Sequence, residues 1–288
     1  MYFKDYEASF ARGLEHVGGN AYVHQRAVDL LSKNEGSRSG CLRGLVSDAE
    51  AISTISYFRD HSLALMKQWA YVSAKLRIML FHIFPSEDYL SEALLWPLIS
   101  DNEEVIDWFK QNDAMYYTEK PSIDGGDKDN PKSWMFYRYQ SWLALNRRWD
   151  ELGERCERIL AMQDEIKKDR SYLIDHRFYL ALARGDTDQM QAVLLQKCEP
   201  SQRKIRHDQE SGLTHNFIVS YATLYAKLAW RSGYELELDT PWIPKEWLPI
   251  QPLDKYEDPW PYMQSFDIWQ PFAEPYAKYS PRRPLAGT

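Results

Sequence analysis

The chain has 288 residues, 44% of them hydrophobic and 27% charged, enough to bury a sizeable core in one large or two modest domains and too apolar for a disordered segment. With 42 acidic against 35 basic residues the formal net charge is −7, which argues against a general electrostatic grip on nucleic-acid phosphates and suits a basic protein partner. Cys41, Cys156 and Cys198 form no CxxC pair and cannot all be joined in disulfides, so neither a disulfide framework nor a zinc site is indicated.

The N-terminus, MYFKDYEASFARGLEHV, mixes acids with aromatics and lacks the apolar run and small-residue cleavage site of a secretory signal, which predicts a cytoplasmic protein. Residues 1–43 read as an N-terminal helical segment: two short helical patterns are split by Gly18, Gly19 and Asn20, and NEGSRSG at 34–40 reads as a flexible connection. The next helix is expected to start at Ser47 or Asp48, where a serine precedes an acidic first turn, and to bend near Asp60 to Ser62. In residues 61–84, Leu65, Trp69, Val72, Leu76, Met79 and Ile83 alternate at spacings of four and three, marking one face of a central core helix that Pro85 ends. Lys67, Lys75 and Arg77 would be costly at a bilayer centre, so no membrane association is expected.

SEDYLSEALLWPLIS opens with a serine and two acids, a helix start, and Pro97 is expected to kink or end that helix. SDNEEVIDWFKQ begins another, with Ser100 or Asp101 as its cap. Residues 118–133 form the largest internal loop. Its Asp124, Asp127 and Asp129 do not make a calcium loop, because the Gly pair precedes the Asp-x-Asp and the twelfth position counted from Asp127 is Arg138 rather than Glu.

Helical patterns resume from Ser133 and continue to Gly233, where Phe217, Tyr221, Leu224 and Leu228 make a further stripe. ALNRRWDEL at Ala144 and ALARGDTDQM at Ala181 each join an apolar helix end to a polar turn and an acidic helix start, and LISDNEEVI at Leu98 is a looser copy. The fold class expected is therefore all-α: a core over 44–240 of stacked antiparallel helical hairpins, irregular and tetratricopeptide-like in places. After residue 240 the composition changes, with ten of the fifteen prolines and Trp242, Trp247, Trp260 and Trp269. Proline-rich chain loses little entropy on ordering and tryptophan covers a large apolar area, so 241–288 is expected to be an extended strap packed on the core. PxxP spacing at Pro241 to Pro244 and Pro249 to Pro252 would also suit a displayed ligand, but the surrounding tryptophans favour self-docking.

Chemistry is hard to find. The seven histidines form no HExxH or Cys/His cluster, and GxSxG, GxxxxGK[ST] and strand-borne GxGxxG are missing. Asp60-His61, Asp175-His176 and His207-Asp208 are adjacent in sequence, yet neighbours on a helix point about 100° apart and so do not form a dyad by adjacency. No catalytic residue, metal ligand or cofactor is therefore assigned. What stands out is acid: Asp101, Glu103, Glu104 and Asp107 around one helix start, with Asp124, Asp127 and Asp129 on the following loop. They suit a helix N-terminus and a solvated loop, and equally a surface complementary to a basic protein.

Residues 212–248, GLTHNFIVSYATLYAKLAWRSGYELELDTPWIPKEWL, resemble the closing pattern of the immunity protein 49 family. The pattern is a helix carrying Thr223, Tyr225, Ala226, Leu228, Ala229, Arg231 and Gly233, then ELELDTP, then Pro244. The likeness extends in looser form over about 44–262. It implies an all-α bacterial immunity protein of a polymorphic-toxin system, which binds and blocks a cognate toxin passed between competing cells; it carries over no catalytic residue and no cofactor. In the cytoplasm that toxin would be a nuclease or similar enzyme, its basic face met by the acidic positions between 101 and 129 and its active site occluded. The alternative is a helical scaffold or adaptor for an endogenous protein. Neither reading involves direct contact with nucleic acid or membrane.

Overall fold

The computed structural model describes residues 2, 4–83, 94–113, 116, 128–166, 170–270 and 272. Among them are thirteen α-helices and no strand, so the all-α expectation holds. The chain divides into two compact units, one built from Met1–Ser9 and Tyr116–Ile250, the other from Phe10–Tyr89, Ala93–Met115 and Gln251–Thr288. The Pro/Trp-rich tail contributes to both units, with 241–250 in the first and the chain from Gln251 in the second.

α1 (Tyr6–Gly18) and α2 (Gln25–Ser32) break where the glycine pair predicts, and the Asn20 amide closes the end of α1 by donating to the His16 carbonyl at 2.8 Å. α3 spans Arg38–Phe58 and so begins well before Ser47. The reason is local: the Ser37 hydroxyl accepts from the Gly40 N–H, capping a helix whose first turn is the RSG of the supposed connection. The chain reverses through His61, at φ 52°, into α4 (Leu63–Ile83), which pairs with α3. Val72, Leu76 and Met79 are buried as their spacing predicts, whereas Leu65 is 50% exposed.

α4 is buried on nearly every side through its middle, its cations included. Each has a carboxylate: Lys67 donates to Asp101 at 2.6 Å, Lys75 to Asp258 at 2.7 Å and Arg77 to Glu50 at 2.5 Å. Buried charges persist only when so paired. The helix expected to start at Ser86 lies, in its opening turns, outside the described residues. α5 (Leu95–Ser100) holds Pro97 in its first turn, where a missing N–H breaks no helical bond, so the helix runs on to Ser100.

In the other unit α7 (Trp134–Leu145), α8 (Trp149–Ala161), α9 (Leu173–Arg184) and α10 (Thr187–Cys198) pack each on the next, followed by α11 (Pro200–Arg206) and α12 (Ser220–Arg231). The two similar segments at Ala144 and Ala181 are the α7/α8 and α9/α10 turns, each reversed by one left-handed residue, Arg147 at φ 55° and Gly185 at φ 69°. A Cβ on Gly185 would also lie 2.8 Å from the Tyr234 hydroxyl, so that side chain would have to shift to admit one.

The tail docks in both units. In the first, Trp247 is fully buried, Trp242 is 6% exposed, and the Arg203 guanidinium stacks 3.3 Å from the Trp242 ring centroid. The buried Lys227 ammonium donates to the carbonyls of Trp247, Leu248 and Pro249 at 2.9, 3.1 and 2.9 Å. In the second, Tyr256 donates its hydroxyl to the Ser100 carbonyl, the Trp260 side chain is buried against Trp69, and α13 (Pro261–Gln264) packs on α2. Lys227→Met would keep the packing but leave three carbonyls without their donor; a loss of about 2–3 kcal/mol in thermal unfolding is expected. Lys245→Met, at a largely exposed site, should be close to neutral.

Candidate functional site

The acidic positions do not form one surface cluster of seven. Asp101 is completely buried: it ends α5 in a left-handed conformation at φ 56°, and its carboxylate takes the Lys67 ammonium and the Gln251 N–H at 3.1 Å. It offers no charge to a partner. Nor does it cap α6 (Glu103–Gln111). That role belongs to Asn102, whose side-chain oxygen accepts from Val105 N–H at 2.9 Å.

Glu103 and Glu104 are exposed in the first turn of α6, where the helix dipole favours them, and the half-exposed Asp107 is bridged to Lys110 at 2.8 Å. These three lie opposite the buried stripe of Val105, Ile106, Trp108 and Phe109. Asp129 belongs to the other unit, where it accepts from Arg155 at 2.8 Å while remaining 61% exposed. Asp124 and Asp127 lie outside the described residues.

The densest electrostatics are internal, among α9 to α12. Asp175, on α9, accepts from Lys197 of α10 and from Arg206 of α11 at 2.9 Å, with all three side chains at most 5% exposed. Burial raises the Asp175 pKa, but the Arg206 and Lys197 charges outweigh it and hold the carboxyl below the usual range. Lys197 itself is pushed down, chiefly by burial. Glu210 works as a cap from a distance: α12 has no side-chain cap at Val219, and the Glu210 carboxylate instead accepts from the Ser220 N–H at 2.6 Å. Burial raises the Glu210 pKa.

Asp175 and His176 do not form a dyad, as helical geometry predicts. The His176 ring packs on Tyr137 and Phe136, 4.8 and 5.8 Å between centroids, and burial pushes its pKa down to about 3. An unfolded histidine takes its proton near pH 6.5, so the stability His176 contributes is complete above that pH and lost as pH falls toward the folded value. Between pH 6.5 and 5 the loss is about 2 kcal/mol. Urea midpoints at pH 7 and pH 5 should therefore differ, and His176→Phe should remove that share of the difference.

Cys156 is free and fully buried, its thiol pKa raised by burial. Among the described residues no group of three or more His, Cys, Asp or Glu could hold a metal ion, and no helix is long and apolar enough to cross a membrane.

The residues that carry the family likeness are packing residues. Thr223, Tyr225, Ala226, Leu228 and Ala229 are all buried on α12, and Gly233 turns the chain at φ 97° into ELELDTP. They fall around most of the circumference of α12, which is buried from Ser220 to Ala229, and the segment after it is the tail that Lys227 fixes. Comparison with known proteins agrees with this placement. No curated protein and no solved structure matches the chain. A family model does match, over residues 137–247, from α7 to the buried Trp247 and over less than half of the chain. The family that this segment matches is immunity protein 49, the one that the sequence resembles.

Proposed function

We propose that this chain is an immunity protein that binds a cognate toxin and holds it inactive, acting as a binding protein and not as an enzyme. The observation that carries the reading is the match of residues 137–247 to a family of immunity proteins. The finer statement is that the toxin acts in the cytoplasm, that it is a nuclease or similar enzyme with a basic face, and that the immunity protein occludes its active site. The net charge of −7 supports this, because an acidic inhibitor is complementary to a surface built for phosphate. Of the acidic positions, Glu103, Glu104 and Asp107 on α6 and Asp129, with Asp124 and Asp127, are the proposed contacts; Asp101 is left out because its carboxylate is buried against Lys67.

The test is co-expression with the product of the adjacent gene, with growth and co-purification as readouts. A stoichiometric complex that restores growth is expected. A partner recovered only from unstressed cells, with no rescue, would replace this reading by an adaptor. Within a confirmed complex, Glu103→Lys, Glu104→Lys and Asp107→Lys together should weaken binding by tenfold or more at low salt and flatten its salt dependence. Unchanged affinity would move the interface elsewhere.

A further inference from the structure

Trp230, near the end of α12, lines an open groove of about 450 Å³ together with residues 236–239, Lys245 and Leu248. Along ELELD the side chains alternate: Leu236 and Leu238 are buried, while Glu235, Glu237 and Asp239 are exposed and so share one outward face. Both walls are fixed. The Glu237 N–H donates to the Gln191 side chain of α10 at 2.6 Å, and the Leu248 carbonyl accepts from the buried Lys227. Trp230 is half-buried, unlike the rest of its helix up to Ala229. Among the described residues Glu237 has no ion pair, and Asp239 has only a loose one, 3.8 Å to Lys245, between two largely exposed side chains.

We propose that this groove takes one arginine side chain of a partner protein, its guanidinium stacked on the Trp230 ring and its N–H groups donated to Glu237 and Asp239. Two rim carboxylates against the single Lys245 ammonium leave the groove acidic, so the complementary occupant is a cation. An apolar side chain would strip water from the carboxylates and give them no partner. A guanidinium stacks on an indole face and meets carboxylates through a planar fork, which an ammonium cannot do. The same unit holds an arginine in this way internally, with the Arg203 guanidinium 3.3 Å from the Trp242 ring centroid. All the lining residues except Leu248 fall in the segment that matches the immunity family. The inference rests on the immunity reading for the identity of the partner, the toxin, but not for the preference of the groove.

The preference is tested by NMR on the full chain with labelled tryptophan, titrated with Nα-acetyl-arginine amide. The Trp230 indole signal, identified by its loss in Trp230→Phe or by sequential assignment if that variant does not fold, is expected to shift saturably. The lysine amide and the uncharged citrulline amide should shift it less. No shift, or equal shifts with all three, overturns the proposal. Glu237→Gln with Asp239→Asn, both at exposed positions, should abolish the shift, and a shift retained in that variant overturns the role of the carboxylates. Lys245→Met removes the competing cation and should lower the half-saturating concentration about two- to threefold. In a co-purified complex with the toxin, the Glu237/Asp239 double variant should weaken binding about tenfold, and unchanged affinity there overturns the arginine anchor. If no complex forms at all, the immunity reading falls, and the titration alone decides the groove.

Discussion

Asp175→Asn is expected to lower the free energy of unfolding by about 3–5 kcal/mol, the cost of leaving buried cations without their counter-charge. Asparagine fills the same space, so the effect isolates the charge: Lys197 and Arg206 would stay almost fully buried with no carboxylate between them. Chemical denaturation at pH 7 measures it. Asp129→Asn is the control, since its partner Arg155 is held by a carboxylate that is 61% exposed, and a change below about 1 kcal/mol is expected there. The acid limb gives a second readout. Because the Asp175 pKa is lowered in the fold, its contribution is complete above the unfolded value near 3.9 and disappears as pH falls through the folded value. The wild type should therefore lose stability below about pH 4 more steeply than Asp175→Asn. Equal stability of the two proteins at pH 7 would mean that the triad does not stabilise the fold.

Trp247→Ala is expected to cost about 3–5 kcal/mol, as truncation of a large core aromatic does. Trp247 has no exposed surface, and its carbonyl is one of three that receive the Lys227 ammonium, so removing the indole also loosens what holds the following chain. Ile250→Ala, three residues on and 45% exposed, should change stability by less than about 1 kcal/mol. The contrast separates docking from composition. A tail displayed for another protein would let Trp247→Ala unfold with the wild type.

Much of the fold was legible from period and punctuation. The stripes of Val72, Leu76 and Met79 and of Tyr221, Leu224 and Leu228 became buried helix faces, while Phe217, expected on the second stripe, is buried in the turn before α12; the paired turns at Ala144 and Ala181 became helix reversals. Capping was less legible, because it depends on which of several polar residues points its oxygen at a free N–H. Ser37 captured the start of α3 that Ser47 was expected to supply, and Asn102 took the place of Ser100 or Asp101 at α6. At the acidic positions, sequence reasoning placed Glu103 and Glu104 correctly on a helix start but put Asp101 with them. Nothing local distinguishes these carboxylates. What separates Asp101 is Lys67, thirty-four positions away.

By itself, then, the sequence determined the helical class, the absorption of Trp247 and Trp260 into buried surface, and the family likeness, because each rests on residue type at fixed spacing along one chain. Tertiary structure decided which charges are surface and which are core. Lys67, Lys75, Arg77, Lys197 and Lys227 read as solvent-seeking residues in any local window, and each is buried only because a carboxylate or carbonyl from a distant segment meets it. That pairing depends on how helices pack, and packing is not written in any single helix.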